Sequence, residues 1–256
     1  MQTPTPSLAR KLGFFALVIY GIGDILGAGI YALVGKVIGA AGPAAWLSFL
    51  LSSLLALLTG FSYAELCARF PVSAGAAAYI GRAFQNPRLS TFLGIVVLGT
   101  GVISAATVTV AFGAYLGKLF PLPLPLAYLG FLAIFSFLSF WGIQESSRLN
   151  MLLTAVEATG LVLVLWAAAQ AYQPGNFEAY LADFRQHFDF SSIFLGITVG
   201  FYAFIGFEDL ANLAEETKEP RRDLPRAILI AIALTTFLYI AVCLALLWNI
   251  PREAIG

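Results

Sequence analysis

Four carboxylates stand where carboxylates are costly: Asp24, Glu157, Glu208 and Asp209 each fall in a long apolar stretch. A charge at the centre of a membrane helix costs roughly 2.5–3.5 kcal/mol on insertion scales, so such residues tend to hold a ligand, carry a proton or bind backbone. Two of the stretches also contain glycine clusters. Tyr20-Gly-Ile-Gly-Asp-Ile-Leu-Gly-Ala-Gly-Ile-Tyr31 sets glycines on both sides of Asp24, and Gly200-Phe-Tyr-Ala-Phe-Ile-Gly-Phe-Glu-Asp209 sets two glycines before its acids. Glycine weakens a helix relative to alanine, so both stretches can unwind locally. In a bilayer, unwound backbone survives only where protein buries it or where it lines a wet cavity.

Two such breaks offer complementary chemistry. The second half-helix after the first break begins with free N–H groups near Gly29–Tyr31, which suit an anion such as a carboxylate. The half-helix before the second break ends in free carbonyls near Ala203–Ile205, which suit an ammonium. An amino acid carries both charges; other zwitterions and organic cations remain open. Close helix packing is the competing reading of the glycines, since Gly23 and Gly27, and again Gly35 and Gly39, form GxxxG pairs.

The elements that must position these residues follow from composition. The chain is 60% hydrophobic and only 11% charged, far from the soluble balance of roughly a quarter charged. Most of its apolar runs exceed the ~18–20 residues that cross a bilayer as helix. Seven spans are expected, over about Leu12–Ala40, Pro43–Leu66, Thr91–Leu119, Leu124–Trp141, Leu149–Ala171, Ser191–Leu213 and Ala227–Trp248. Ala74–Phe84 is too short to cross and is expected at the interface or re-entrant. Of fourteen Lys and Arg, all but Lys36, Lys118, Arg185 and Arg252 fall on one side of these spans. The positive-inside rule then puts the N-terminus in the cytoplasm and Gly256 outside. An odd number of spans ending in a loop suggests a chain truncated after its seventh helix.

Other chemistry is disfavoured. The formal net charge is zero with no strongly basic run, so no nucleic acid partner is expected. Cys67 and Cys243 lack metal-like spacing, and the one histidine, His187, sits in an expected loop. No metal, cofactor or enzymatic activity is therefore expected. No repeated filter segment or charged ring suggests a channel.

At these residues the sequence resembles the amino acid–polyamine–organocation transporter superfamily. Gly27-Ala-Gly-Ile30 is similar to its first-span substrate motif. Tyr63-Ala-Glu-Leu-Cys-Ala-Arg-Phe-Pro71, with Gly75 and Tyr79, is similar to its signature between the second and third spans. Phe204-Ile-Gly-Phe-Glu208 and Ala214-Glu-Glu-Thr-Lys-Glu-Pro-Arg-Arg-Asp-Leu-Pro225 resemble its sixth span and the loop beyond. The resemblance implies an all-α transmembrane, leucine-transporter-type inverted-repeat bundle with spans 1 and 6 unwound mid-membrane. One transmembrane domain, 1–256, would hold the first five-helix repeat over 12–171 and the incomplete start of the second over 188–256. It implies an amino acid permease of the cytoplasmic membrane, working by alternating access with a proton or sodium ion as coupling ion.

Carried over residue by residue, Gly27, Ala28, Gly29 and Ile30 would hold the substrate carboxylate. Ala203, Phe204 and Ile205 would face its ammonium, and Tyr202 and Phe204 would gate it, unless they are merely packing aromatics. Glu157 stands where some relatives carry a lysine. A carboxyl in apolar surroundings can exchange protons near neutral pH, so Glu157 is the expected proton-coupling residue, a structural hydrogen bond being the alternative. Asp24 and Glu208 would bind a cationic group, carry a proton, gate the site or hold unwound backbone. Glu65 and Arg69, four apart, read as a helix-surface ion pair. The alternatives for the chain are a fragment that does not transport, another helical membrane protein, or a polyamine or organic cation transporter.

Overall fold

The computed structural model describes residues 10–73, 75–120, 123–140 and 143–250, and they are helical almost throughout. In chain order the helices are α1 (Phe14–Ala41), α2 (Ala45–Arg69), α3 (Gly75–Phe84), α4 (Pro87–Leu119), α5 (Leu124–Phe140), α6 (Ile143–Ala171), α7 (Asn176–His187), α8 (Phe190–Tyr202) and α9 (Pro220–Asn249). Two 3-10 segments join them, Gly42–Ala44 between α1 and α2 and Phe207–Glu216 between α8 and α9. Among the described residues the expected spans are largely helical, the sixth being interrupted by turns at Ala203–Gly206 and continuing as 3-10. Five segments among the described residues are long and apolar enough to cross a membrane: Gly29–Arg69, Pro87–Leu119, Arg148–Ala171, Phe190–Glu216 and Pro220–Asn249. The expected first and fourth spans fall short of that count for physical reasons. Non-helical dihedrals at Gly27 divide α1, and α5 has only 17 residues. Trp141, Ala74, Arg252 and Gly256 lie outside the described residues.

The chain forms two compact units, one from Met1–Ser73 with Met151–Gly256, the other from Ala74–Asn150. In the second, α4 packs against α3 and α5. Asn86 caps α4 by accepting from the N–H groups of Arg88 and Leu89. Ser90 Oγ donates to Ala77 O at 2.8 Å, and Phe131 packs its ring 4.5 Å from those of Phe112 and Phe135.

In the first unit, α1 and α2 each pack against α8 and α9, most extensively α2 on α9. Leu17, Ile25, Phe49, Phe204, Leu224, Ile228 and Tyr239 are fully buried there. Small and hydroxylated residues let α2 and α8 approach closely. Ser48 Oγ donates to Ile193 O at 3.1 Å and Ser52 Oγ to Ile197 O at 3.0 Å. Gly196 and Gly200, one turn apart, leave room for those serines: an added Cβ at Gly200 would lie 2.8 Å from Ser52 Oγ. Gly200 is thus a packing glycine inside α8, while the break falls at Gly206.

One helix replaces an expected loop. In α7, Phe177, Tyr180 and Phe184 recur at the helical spacing of three to four residues, with Phe188 just beyond its end, and His187 is its last residue. Tyr180 fixes it to the α1–α2 corner, accepting from Trp46 Nε1 at 3.0 Å and donating to Pro43 O at 3.1 Å. Burial raises the Tyr180 phenol above its ordinary value, against a smaller opposing effect of the Trp46 hydrogen bond.

Candidate functional site

The first break is a matter of backbone dihedrals. Gly27 has φ 28 and ψ −141 within an otherwise helical run, a conformation that side chains rarely tolerate. A Cβ on Gly27 would meet nothing within 4 Å, and the same is true of Gly39. Close packing therefore does not account for either glycine; Gly27 is needed for its φ.

The second break follows α8. Ala203, Phe204 and Ile205 continue as tight turns whose N–H groups donate to Gly200 O, Phe201 O and Tyr202 O. Gly206 then takes φ 130 and the chain enters the 3-10 segment. That segment buries Phe207, Leu210 and Leu213, a three-residue repeat that matches three residues per turn. Ala211 and Ala214 are buried as well, so the same residues also fit α spacing and periodicity alone does not select 3-10.

The two breaks meet. A Cβ built on Gly206 would lie 2.6 Å from Asp24 O, so the backbones of α1 and the second break touch where only glycine fits. Gly29 approaches the other side of the turn, its added Cβ falling 3.2 Å from Ala203 O. Glu208 folds back on its own break, accepting from Gly206 N at 2.9 Å. It therefore holds unwound backbone, one of the roles open to it from sequence. Phe204 and Ala203 are buried, with Phe204 packed 5.0 Å from the Tyr239 ring; Ile30 is buried as well. Tyr202 and Ile205 are exposed. Asp24 is half-buried, and Ala28 lies in the backbone turn between Gly27 and Gly29.

Tyr239 of α9 ties the breaks together and was not singled out from sequence. Its hydroxyl lies 2.6 Å from Ile25 O and 2.9 Å from Ala203 O. Both carbonyls belong to half-helix ends that lack ordinary helical partners. One proton serves two acceptors, and the whole residue is buried. The available signal was a tyrosine deep in an apolar helix, whose hydroxyl must find a partner.

Glu157 reaches the same unit from α6. Tyr31, four residues beyond Gly27, donates its hydroxyl to Glu157 O at 2.8 Å. The hydroxyl also occupies the space over Gly160, where an added Cβ would lie 2.8 Å from it. The Glu157 side chain is half-buried. Glu65 and Arg69 form the expected exposed ion pair. No cluster of three His, Cys, Asp or Glu residues that could hold a metal occurs among the described residues.

The sequence profile of the amino acid permease family matches residues 16–256. The chain belongs to the amino acid permease family. It is 34% identical to "Cationic amino acid transporter 9, chloroplastic" of Arabidopsis thaliana, over 98% of this chain and 47% of that protein. It is 30% identical to "Branched-chain amino acid permease BcaP" of Bacillus subtilis, over 96% and 56%. A "Methylthioribose transporter" of the same bacterium is 29% identical, over 98% and 57%. The chain spans about half the length of these relatives. Family membership and the apolar helices together make this permease a multi-pass membrane protein.

Proposed function

We propose that the chain forms part of a secondary transporter that moves amino acids across the cytoplasmic membrane by alternating access. The observation that carries this reading is the meeting of the two broken helices, with Gly206 against Asp24 O and Gly29 against Ala203 O. That closeness supports a reading in which N–H groups opening one half-helix and carbonyls closing another act together, and a zwitterion is the small molecule that needs both. In this reading, N–H groups over Gly27–Ile30 take the substrate carboxylate. Carbonyls over Ala203–Ile205 take its ammonium. Asp24 and Glu208 set the charge around the breaks, and exposed Tyr202 is free to close over the site while buried Phe204 supports Tyr239. Residues 12–171 form the first repeat, 188–256 begin the second, and the N-terminus is cytoplasmic.

Glu157 supplies the coupling step. It sits on a helix joined to α1 just past the break through Tyr31, so a change in its protonation acts on the half-helix that binds the carboxylate.

Uptake of labelled amino acids into proteoliposomes, with and without an inward proton gradient, tests the reading. Lysine, leucine and methylthioribose span the chemistry of the relatives' names. Saturable uptake of at least one amino acid, enhanced by the gradient, is the expected result. Uptake of methylthioribose alone, or amino acid uptake that neither saturates nor responds to the gradient, overturns it.

A further inference from the structure

Outside the permeation site, one cleft gathers cations from two distant parts of the chain. Arg10, Lys218, Arg221 and Arg222 line it with Glu219, Pro71 and Pro220, around a cavity of about 430 Å³. Backbone pairing brings the two segments together. Leu12 and Thr217 form a parallel bridge; Lys11 N and Leu12 N donate to Glu216 O at 2.9 and 3.0 Å, and Lys218 N donates to Leu12 O at 2.9 Å. The bridge holds Arg10 beside Lys218 although their charges repel. Glu219 pairs with Arg222 at 3.3 Å. Among the described residues no carboxylate lies within ion-pair distance of Arg10, Lys218 or Arg221. Among the described residues, four cations and one acid around the cleft leave an excess of positive charge.

The position of the cleft says where its counter-ion comes from. Pro71 lies two residues beyond the end of α2 and Pro220 opens α9, so the cleft sits where two spans leave the apolar layer. Phosphates of lipid headgroups occupy that level, and Arg side chains recognise phosphate through paired N–H donors. We propose that this cleft is a binding site for a phosphate-bearing anion, and that the anion it takes is the headgroup of an acidic phospholipid.

The full chain in phosphatidylcholine nanodiscs provides the test. Phosphatidylglycerol is titrated into the discs, and inorganic phosphate or pyrophosphate into the buffer, while the melting temperature is followed. Phosphatidylglycerol is expected to raise it. The substitutions Lys218→Gln, Arg221→Gln and Arg10→Gln should each weaken that response about fivefold, the worth of one basic residue at an acidic membrane surface. Arg88→Gln and Arg185→Gln, which remove the same charge elsewhere, should leave it unchanged. Stabilisation by phosphatidylglycerol but not by phosphate or pyrophosphate assigns the cleft to lipid. Stabilisation by the soluble anions alone, lost in the same three variants, assigns it to a free phosphate compound and overturns the lipid assignment. An equal response in all five variants reduces the effect to general surface charge, and no response in wild type removes the site; either result overturns the proposal. Arg221→Gln spares the Glu219–Arg222 pair, so a variant that fails to fold through loss of that pair does not confuse the reading.

Discussion

Gly206 and Asp24 touch through backbone alone: a Cβ at Gly206 would lie 2.6 Å from Asp24 O and 3.2 Å from Ile25 N. The contact joins the two breaks on which substrate recognition is proposed to rest. Gly206→Ala meets it twice, through the collision and through φ 130. Strain of this kind alone is worth about 1–3 kcal/mol. Gly27→Ala meets only the dihedral penalty, since nothing stands within 4 Å of its added Cβ. The expected order of melting temperatures in detergent is wild type, then Gly27→Ala, then Gly206→Ala. A Gly206→Ala protein as stable as wild type would place the two backbones further apart than described.

The packing glycines of α8 behave differently. An added Cβ at Gly196 would fall 2.7 Å from Ala41 Cβ and 2.9 Å from Ser48 Cβ, so Gly196→Ala overpacks the α1–α2–α8 contact and should cost about 1–3 kcal/mol. Ala41→Gly in the same protein removes one of the colliding atoms. Partial recovery of the melting temperature in the double variant, absent when Ala41→Gly is made alone, is the expected signature.

Much of this arrangement was legible in the sequence because hydrophobicity and glycine are strong local signals. The apolar runs located the helices, and Asp24 among glycines located the first break. Which glycine serves which purpose was not legible. Gly200 and Gly206 look alike as letters, yet one makes room for Ser52 and the other takes a positive φ, and that distinction depends on the neighbouring helix. Tyr239 escaped for the same reason: its role is set by Ile25 and Ala203, which are 214 and 36 residues away. The helix α7 could have been read from the spacing of its aromatic residues, but its polar residues and the nearby Pro174-Gly175 pair resemble a loop.

Asp189 gives the fold an acid sensitivity. It caps α8 by accepting from the N–H groups of Ser191 and Ser192, and Ser191 Oγ also donates to it. The Ser191 hydroxyl first, then the N–H groups, hold its carboxyl below the ordinary value. A carboxyl with a lowered folded pKa contributes stability that is complete above its unfolded pKa, about 4, and fades as pH falls through the folded value. Melting temperature should therefore drop less between pH 6 and pH 3 in Asp189→Asn than in wild type. Parallel pH curves for the two proteins would show that the cap does not titrate as described.

Tyr239→Phe isolates the hydroxyl that bridges the breaks. The ring keeps its edge contact with Phe49 and its tilted contact with Phe204, while Ile25 O and Ala203 O lose their shared donor. Leaving buried carbonyls without a donor costs about 1–3 kcal/mol. The loss should be local, so amide exchange is expected to quicken over residues 24–31 and 203–208 and to stay unchanged in the middle of α2. Faster exchange everywhere would mean that Tyr239 supports the core in general rather than the breaks in particular.

Glu157→Gln separates binding from coupling. The substitution keeps the shape of the side chain, and the hydrogen bond from Tyr31 goes to the backbone oxygen of residue 157, so the fold and the link to α1 should survive. If the carboxyl carries the coupling proton, the variant should still exchange labelled for unlabelled amino acid across a vesicle membrane at equal pH, because exchange needs only the substrate site and its two orientations. It should no longer respond to an imposed proton gradient, and its uptake should become flat with pH. Tyr31→Phe then distinguishes the route: loss of the Tyr31 hydroxyl leaves the proton site intact but frees α1 from α6, so gradient-driven uptake should weaken while its pH dependence keeps its shape. A Glu157→Gln protein that still accumulates substrate under a gradient, with an unaltered pH profile, would exclude this carboxyl as the coupling group and leave it as a half-buried residue beside a structural hydrogen bond.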